Sequence, residues 1–166
     1  MKIMKTVIRN TLYGNAVTTF LRVFMGALFL YSGSFKAVDP EAFGRIVAMY
    51  RIIPGDLVPY AALFFPYLEI TLGALLLAGY RIQSASLLAS GMLFVFSIAI
   101  GLNVLRKETF DCGCLELQRL GISEAISPSL LLRNAVLILV LVLIFTAKRQ
   151  MLSLDGRLER KKLREL

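Results

Sequence analysis

The chain has 166 residues, 57% of them hydrophobic, a mean hydropathy of +0.72 and a formal net charge of +8. That is too apolar for a soluble domain of this length and reads as one membrane-embedded domain. There is no histidine, which excludes histidine-ligated haem, di-iron and zinc–histidine sites and histidine acid–base catalysis. The positive charge gathers at the two ends without a basic face and interleaved aromatics, which argues against nucleic acid.

A spanning helix needs about 20 mostly apolar residues, and four segments qualify: 16–36, 57–80, 82–105 and 129–147. The expected fold is all-α, an integral membrane four-helix bundle over residues 1–147, with a basic cytoplasmic tail at 148–166. The first span carries Arg22 and ends without a small-x-small site, so it reads as a span and not as a cleavable leader. Charge in hydrocarbon costs at least about 2.5–3.5 kcal/mol at the centre of a span and calls for a reason. Counted from the outer ends of their spans at ~1.5 Å per residue, Arg22 lies about 21 Å deep and Glu69 about 18 Å deep. Their similar depth predicts a buried polar pair. Lys36, at the end of the first span, reads as a cation snorkelling to the headgroups.

Between the first two spans, Asp39-Pro40-Glu41 reads as a helix start with Asp39 as cap. Phe43, Ile46, Val47 and Tyr50 follow at helical spacing, with Gly44, Arg45 and Arg51 off that stripe. This predicts a short outer surface helix at about 40–51. In the second span Pro66 removes a helical hydrogen bond and bends the chain three residues before Glu69, making room there for a ligand or water. The second and third spans are joined by little more than Arg81, a tight antiparallel hairpin. Ser32, Gly33, Gly26 and Gly73 are small enough for close helix contact. Asn103 and Asn134, with Glu69, are candidate linings of a quinone pocket, and Arg133 is a second cation near the outer end of its span.

The loop at 106–128 holds the only two cysteines, Cys112 and Cys114, one glycine apart. An even number of spans puts both termini on one side. The basic ends, with Lys2, Lys5 and Arg9 at one and seven lysines and arginines from Lys148 to Arg164 at the other, make that side cytoplasmic. The loop then faces the extracytoplasmic side, where disulfides persist. Three chemistries compete for the pair. A structural disulfide across one residue would constrain the unfolded chain little and would be strained and labile. A Cu(I) site would use two thiolates. A dithiol–disulfide redox pair fits the placement best, with the outer cations Lys36 and Arg133 favouring the thiolate. No metal site is expected from the remaining residues. With one pair only, electrons go to or from an extracytoplasmic protein, with a lipid-soluble quinone in the bundle as a candidate direct acceptor.

A family is recognisable in Arg22-x-x-x-Gly26, Tyr31-Ser32-Gly33-x-x-Lys36, Asp39-Pro40-x-x-Phe43, Tyr50-Arg51 with Pro54, Pro66-x-x-Glu69, Asp111-Cys112-Gly113-Cys114 and Arg133-Asn134. In that order, from about Arg22 to Phe145, the chain resembles the MauE branch of the MauE/DoxX family of redox-associated membrane proteins. The resemblance implies a four-helix membrane protein connected with disulfide formation or maturation of a partner, as in methylamine utilisation. The expected function is a thiol–disulfide oxidoreductase of a bacterial inner membrane. Its expected partners are the bilayer and a thioredoxin-like or substrate protein. The alternative is a non-catalytic subunit or assembly factor, in a larger membrane complex or a homodimer.

Overall fold

The computed structural model describes residues 2–106 and 128–147, with side chains from 16–106 and 129–147. Cys112, Cys114 and the basic tail lie outside the described residues. Among the described residues five α-helices follow one another: α1 Lys2–Val38, α2 Pro40–Met49, α3 Val58–Ala78, α4 Ile82–Leu105 and α5 Pro128–Thr146, with a 3₁₀ turn at Gly55–Leu57 before α3. All but α2 contain a stretch long and apolar enough to cross a membrane: Ala16–Val38, Gly55–Ala78, Ile82–Leu105 and Ser129–Thr146. The chain is a multi-pass, all-helical membrane protein. The four spans agree with the expected ones to within two residues at each end.

The bundle is apolar outside and polar inside. Phe20, Phe24, Phe64, Phe94 and Leu132 are exposed on its flanks, whereas Arg22, Ser32, Lys36, Glu69, Ser86, Asn103 and Asn134 are buried among Met25, Phe29, Leu72, Leu76, Ile100, Leu141 and Ile144. Lipid tails solvate the outer leucines as well as a neighbouring helix would, so packing and polar contacts hold the helices together. α1 packs chiefly on α3 and α4 on α5, and α3·α4 and α1·α5 contacts close the ring.

Glycines set the α1·α3 distance. A Cβ on Gly33 would meet the Pro66 carbonyl, Ile70 N and Glu69 Cβ at 2.9 Å, and one on Gly73 would meet Gly26 O and Leu30 N at 2.8 Å. The two backbones touch there, and the space expected beside Pro66 is filled by α1. The α3–α4 hairpin turns at 79–81, where Gly79 closes α3 in the left-handed region at φ 67°. Its N–H and that of Tyr80 bond to the carbonyls of Leu76 and Leu75, completing the last turn.

The Gly33–Glu69 contact fixes the register of α1 against α3. Val38, the end of α1, then stands level with about Phe64, and α3 projects beyond it by roughly 9 Å at 1.5 Å per residue. α2 fills that step. Asp39 caps it as expected, its carboxylate accepting from Ala42 N at 2.9 Å. Phe43 and Tyr50 are buried. Gly44, expected off the packed stripe, is buried too, because it meets Ala62 and Val58 of the projecting part of α3.

Candidate functional site

A closed polar cluster lies between α1 and α3. Lys36 Nζ donates to Glu69 Oε1 at 2.7 Å, to Glu69 Oε2 at 2.9 Å and to Ser32 Oγ at 2.9 Å. Ser32 Oγ donates in turn to Glu69 Oε2 at 3.0 Å. The ammonium has three N–H groups and the geometry gives each an oxygen. Phe43 of α2 and Phe96 of α4 face the ammonium at 5.3 and 6.0 Å from their ring centroids, so its positive charge is also met by two ring faces. Phe96 leans on Phe65 with centroids 5.4 Å apart. Helical spacing puts Ser32 and Lys36 one turn apart on α1, both facing Glu69 across the Gly33 contact.

This corrects two expectations. Lys36 is not an outer, snorkelling cation, since it is 1% exposed and its donors are engaged inside the bundle. Glu69 pairs with Lys36 and not with Arg22. Arg22 lies eleven residues before Gly33, the residue level with Glu69, and so about 16 Å away along α1. Its Nη1 donates to the carbonyls of Leu76 at 2.7 Å and Leu77 at 3.4 Å, at the negative end of the α3 dipole. Depth counted from each span's own end misplaced the two because α3 starts well beyond the end of α1.

A second set of polar residues lies along α4 and α5. Asn103 Nδ2 donates to Ala99 O at 2.9 Å and Tyr50 O at 3.4 Å, and Arg106 Nη1 reaches the same Tyr50 carbonyl at 3.3 Å. The end of α2 is thereby tied to the end of α4, where the cysteine-bearing segment begins. Asn134 Nδ2 donates to Ser97 Oγ at 3.3 Å, and Ser97 donates to Leu93 O at 2.7 Å. The amide oxygens of Asn103 and Asn134 are buried without a hydrogen-bond donor. Arg133, next to Asn134 on α5, is half-buried. Both oxygens of the Glu69 carboxylate accept from α1, whereas the amide oxygens of Asn103 and Asn134 lie on α4 and α5.

Ser32, Ser97, Arg106 and the Tyr50 carbonyl were not singled out as polar partners by the sequence. Only Ser32 left a signal, its four-residue spacing to Lys36.

The family model for methylamine utilisation protein MauE matches residues 14–147, all four spans and both long connections. Methylamine utilization protein MauE of Paracoccus denitrificans is 34% identical over 118 residues, 70% of this chain and 62% of that protein. The proteins of the same name from Paracoccus versutus and Methylorubrum extorquens are each 36% identical, over 70% and 72% of this chain and 62% and 63% of their own lengths. The matched part of this chain thus spans less than two thirds of these relatives. No solved structure matches it. Four spans of the expected lengths and a family match that runs through all of them agree, and the chain belongs to the MauE family.

Proposed function

We propose that this chain is a membrane thiol–disulfide redox protein serving methylamine utilisation, with Cys112 and Cys114 as its exchanging pair. The observation that carries the reading is Cys112-Gly113-Cys114 between two membrane spans in a chain with no other cysteine. The names of the relatives supply the metabolic setting. In the proposed cycle a dithiol of an extracytoplasmic protein attacks the Cys112–Cys114 disulfide. The partner gains a disulfide, and Cys112 and Cys114 leave as thiols. Regeneration removes two electrons and two protons from those thiols. A bilayer quinone takes up both and becomes hydroquinone. Arg133, near the outer end of its span, is the outer cation assigned to the thiolate. The basic termini support an orientation with both ends of the chain in the cytoplasm and the cysteine segment outside.

The test uses the full chain in membranes of a host lacking its own MauE. An alkylating mass tag should add to both cysteines only after reduction, and Cys112→Ser or Cys114→Ser should abolish growth on methylamine. If the cysteines are alkylated without reductant under all conditions, and the double variant supports normal growth, the reading fails. The chain then acts as a non-catalytic assembly subunit.

A further inference from the structure

We propose that the groove between α2 and α3 binds one phospholipid whose headgroup carries a phosphate and a primary ammonium, as phosphatidylethanolamine does. The inference is independent of the cysteine chemistry. The groove has a volume of about 490 Å³, within the range of cavities that hold small ligands. α2 lines it with Glu41, Gly44, Arg45 and Ala48, and α3 with Ala62 and Leu63 among others. Every lining residue except Glu41 and Arg45 is apolar. Small residues make the groove. A Cβ on Gly44 would stand 3.4 Å from that of Ala62, so the helices touch at the floor, and Ala48 is too short to fill the space beside it.

Its level in the membrane points to a lipid. The groove lies in the first turns of the Gly55–Ala78 span, and Leu63 is eight residues into that span, about 12 Å. Leu57, Tyr60, Leu63 and Phe64 are exposed on these turns, Tyr60 at 72%, and exposed tyrosines mark the headgroup level. The apolar wall therefore meets acyl chains, while Glu41 and Arg45 on α2 stand where headgroups lie.

Charge complementarity selects the headgroup. Glu41 and Arg45 are exposed and one helical turn apart on the groove side of α2, with about 5–6 Å between Cβ atoms at that spacing. Among the described residues neither is in an ion pair, with the other or with a neighbour. A phosphoethanolamine headgroup has its two charges on either side of a two-carbon link, a separation of the same order. Its phosphate accepts from the Arg45 guanidinium and its ammonium donates to the Glu41 carboxylate. A trimethylated ammonium has no N–H to donate, and an anionic headgroup without an ammonium sets like charge beside Glu41. A quinone offers only acceptors, which the carboxylate repels. Bound across both helices, the lipid holds α2, and with it Phe43 over Lys36.

The experiment is native mass spectrometry of the full chain in detergent, with an equimolar mixture of phosphatidylethanolamine, phosphatidylcholine and phosphatidylglycerol. One phosphatidylethanolamine should be retained, about three- to tenfold in excess over each of the others. Glu41→Gln should erase the preference over phosphatidylcholine, and Arg45→Gln should weaken all three, which share the phosphate. Ala48→Phe, at an exposed position, fills the groove and should expel the lipid. A phosphatidylethanolamine with a diazirine in its acyl chain should label the unmodified chain within 40–48 and 58–63, an arm that needs no variant to fold. Equal retention of the three lipids or preference for phosphatidylglycerol overturns the proposal. So does labelling elsewhere, or displacement of the lipid by a decyl benzoquinone. A dimer that Ala48→Phe breaks would give the groove to a second copy and overturn it as well.

Discussion

The Lys36–Glu69 pair shows how a charge survives inside a membrane bundle. Desolvating two ions is expensive, and their attraction offsets this only when the remaining protons and lone pairs are also met. Ser32, Phe43 and Phe96 meet them here. Removing one partner strands the other, so Lys36→Met should destabilise the bundle by about 3–5 kcal/mol. Adding Glu69→Leu to Lys36→Met should restore most of that loss, because no uncompensated ion remains. Unfolding of the two variants in detergent checks this, and a double variant less stable than the single one would contradict it. Ser32→Ala should cost less, about 1 kcal/mol, since Lys36 still holds both carboxylate oxygens. Lys36 and Glu69 stood out in the sequence by their improbability in an apolar run. Their partners did not, because pairing depends on how two helices are offset. That offset is set by contacts such as Gly33 on Glu69, which no single span displays.

At the scale of elements, the close α1·α3 contact depends on three glycines, Gly26, Gly33 and Gly73. Glycine in a helix interior is otherwise a disadvantage of about 0.5–1 kcal/mol relative to alanine. Gly33→Ala and Gly73→Ala should each cost about 1–3 kcal/mol, as overpacked contacts do, because the atoms met at 2.8–2.9 Å are partly backbone and cannot rotate away. Gly91 and Gly101 on α4 make the control. A Cβ at either meets nothing within 4 Å, so Gly91→Ala and Gly101→Ala should be neutral or slightly stabilising. Equal losses at all four positions would show that helix propensity, not contact, is being measured. The spans and the Asp39 cap were legible in the sequence because length, apolar run and capping chemistry are local. The burial of Gly44 was not. It follows from the step where α3 outruns α1, a relation between two helices separated by the whole of α2.

The whole molecule has two ends of different character. At the 79–81 turn the chain exposes Arg81 and no acidic residue. At the other end α2, its flanks, the start of α3 and the end of α4 mix Arg45, Arg51 and Arg106 with Asp39, Glu41 and Asp56. Cytoplasmic loops collect lysine and arginine in excess, so the proposed orientation sets the 79–81 turn inside with the termini and the α2 end outside with the cysteine segment. Two exposed positions report on it, Tyr80 at the turn and Ile52 beyond α2, 39% and 46% exposed. In a Cys112→Ser/Cys114→Ser background, Ile52→Cys should react with a membrane-impermeant maleimide on intact spheroplasts. Tyr80→Cys should react only after the membrane is opened. The reversed pattern would turn the molecule over and place the native cysteines in a reducing compartment, removing the oxidising setting that the redox reading needs. Labelling of both positions from the same side would break the four-span arrangement itself, since a single crossing by α3 separates residue 52 from residue 80.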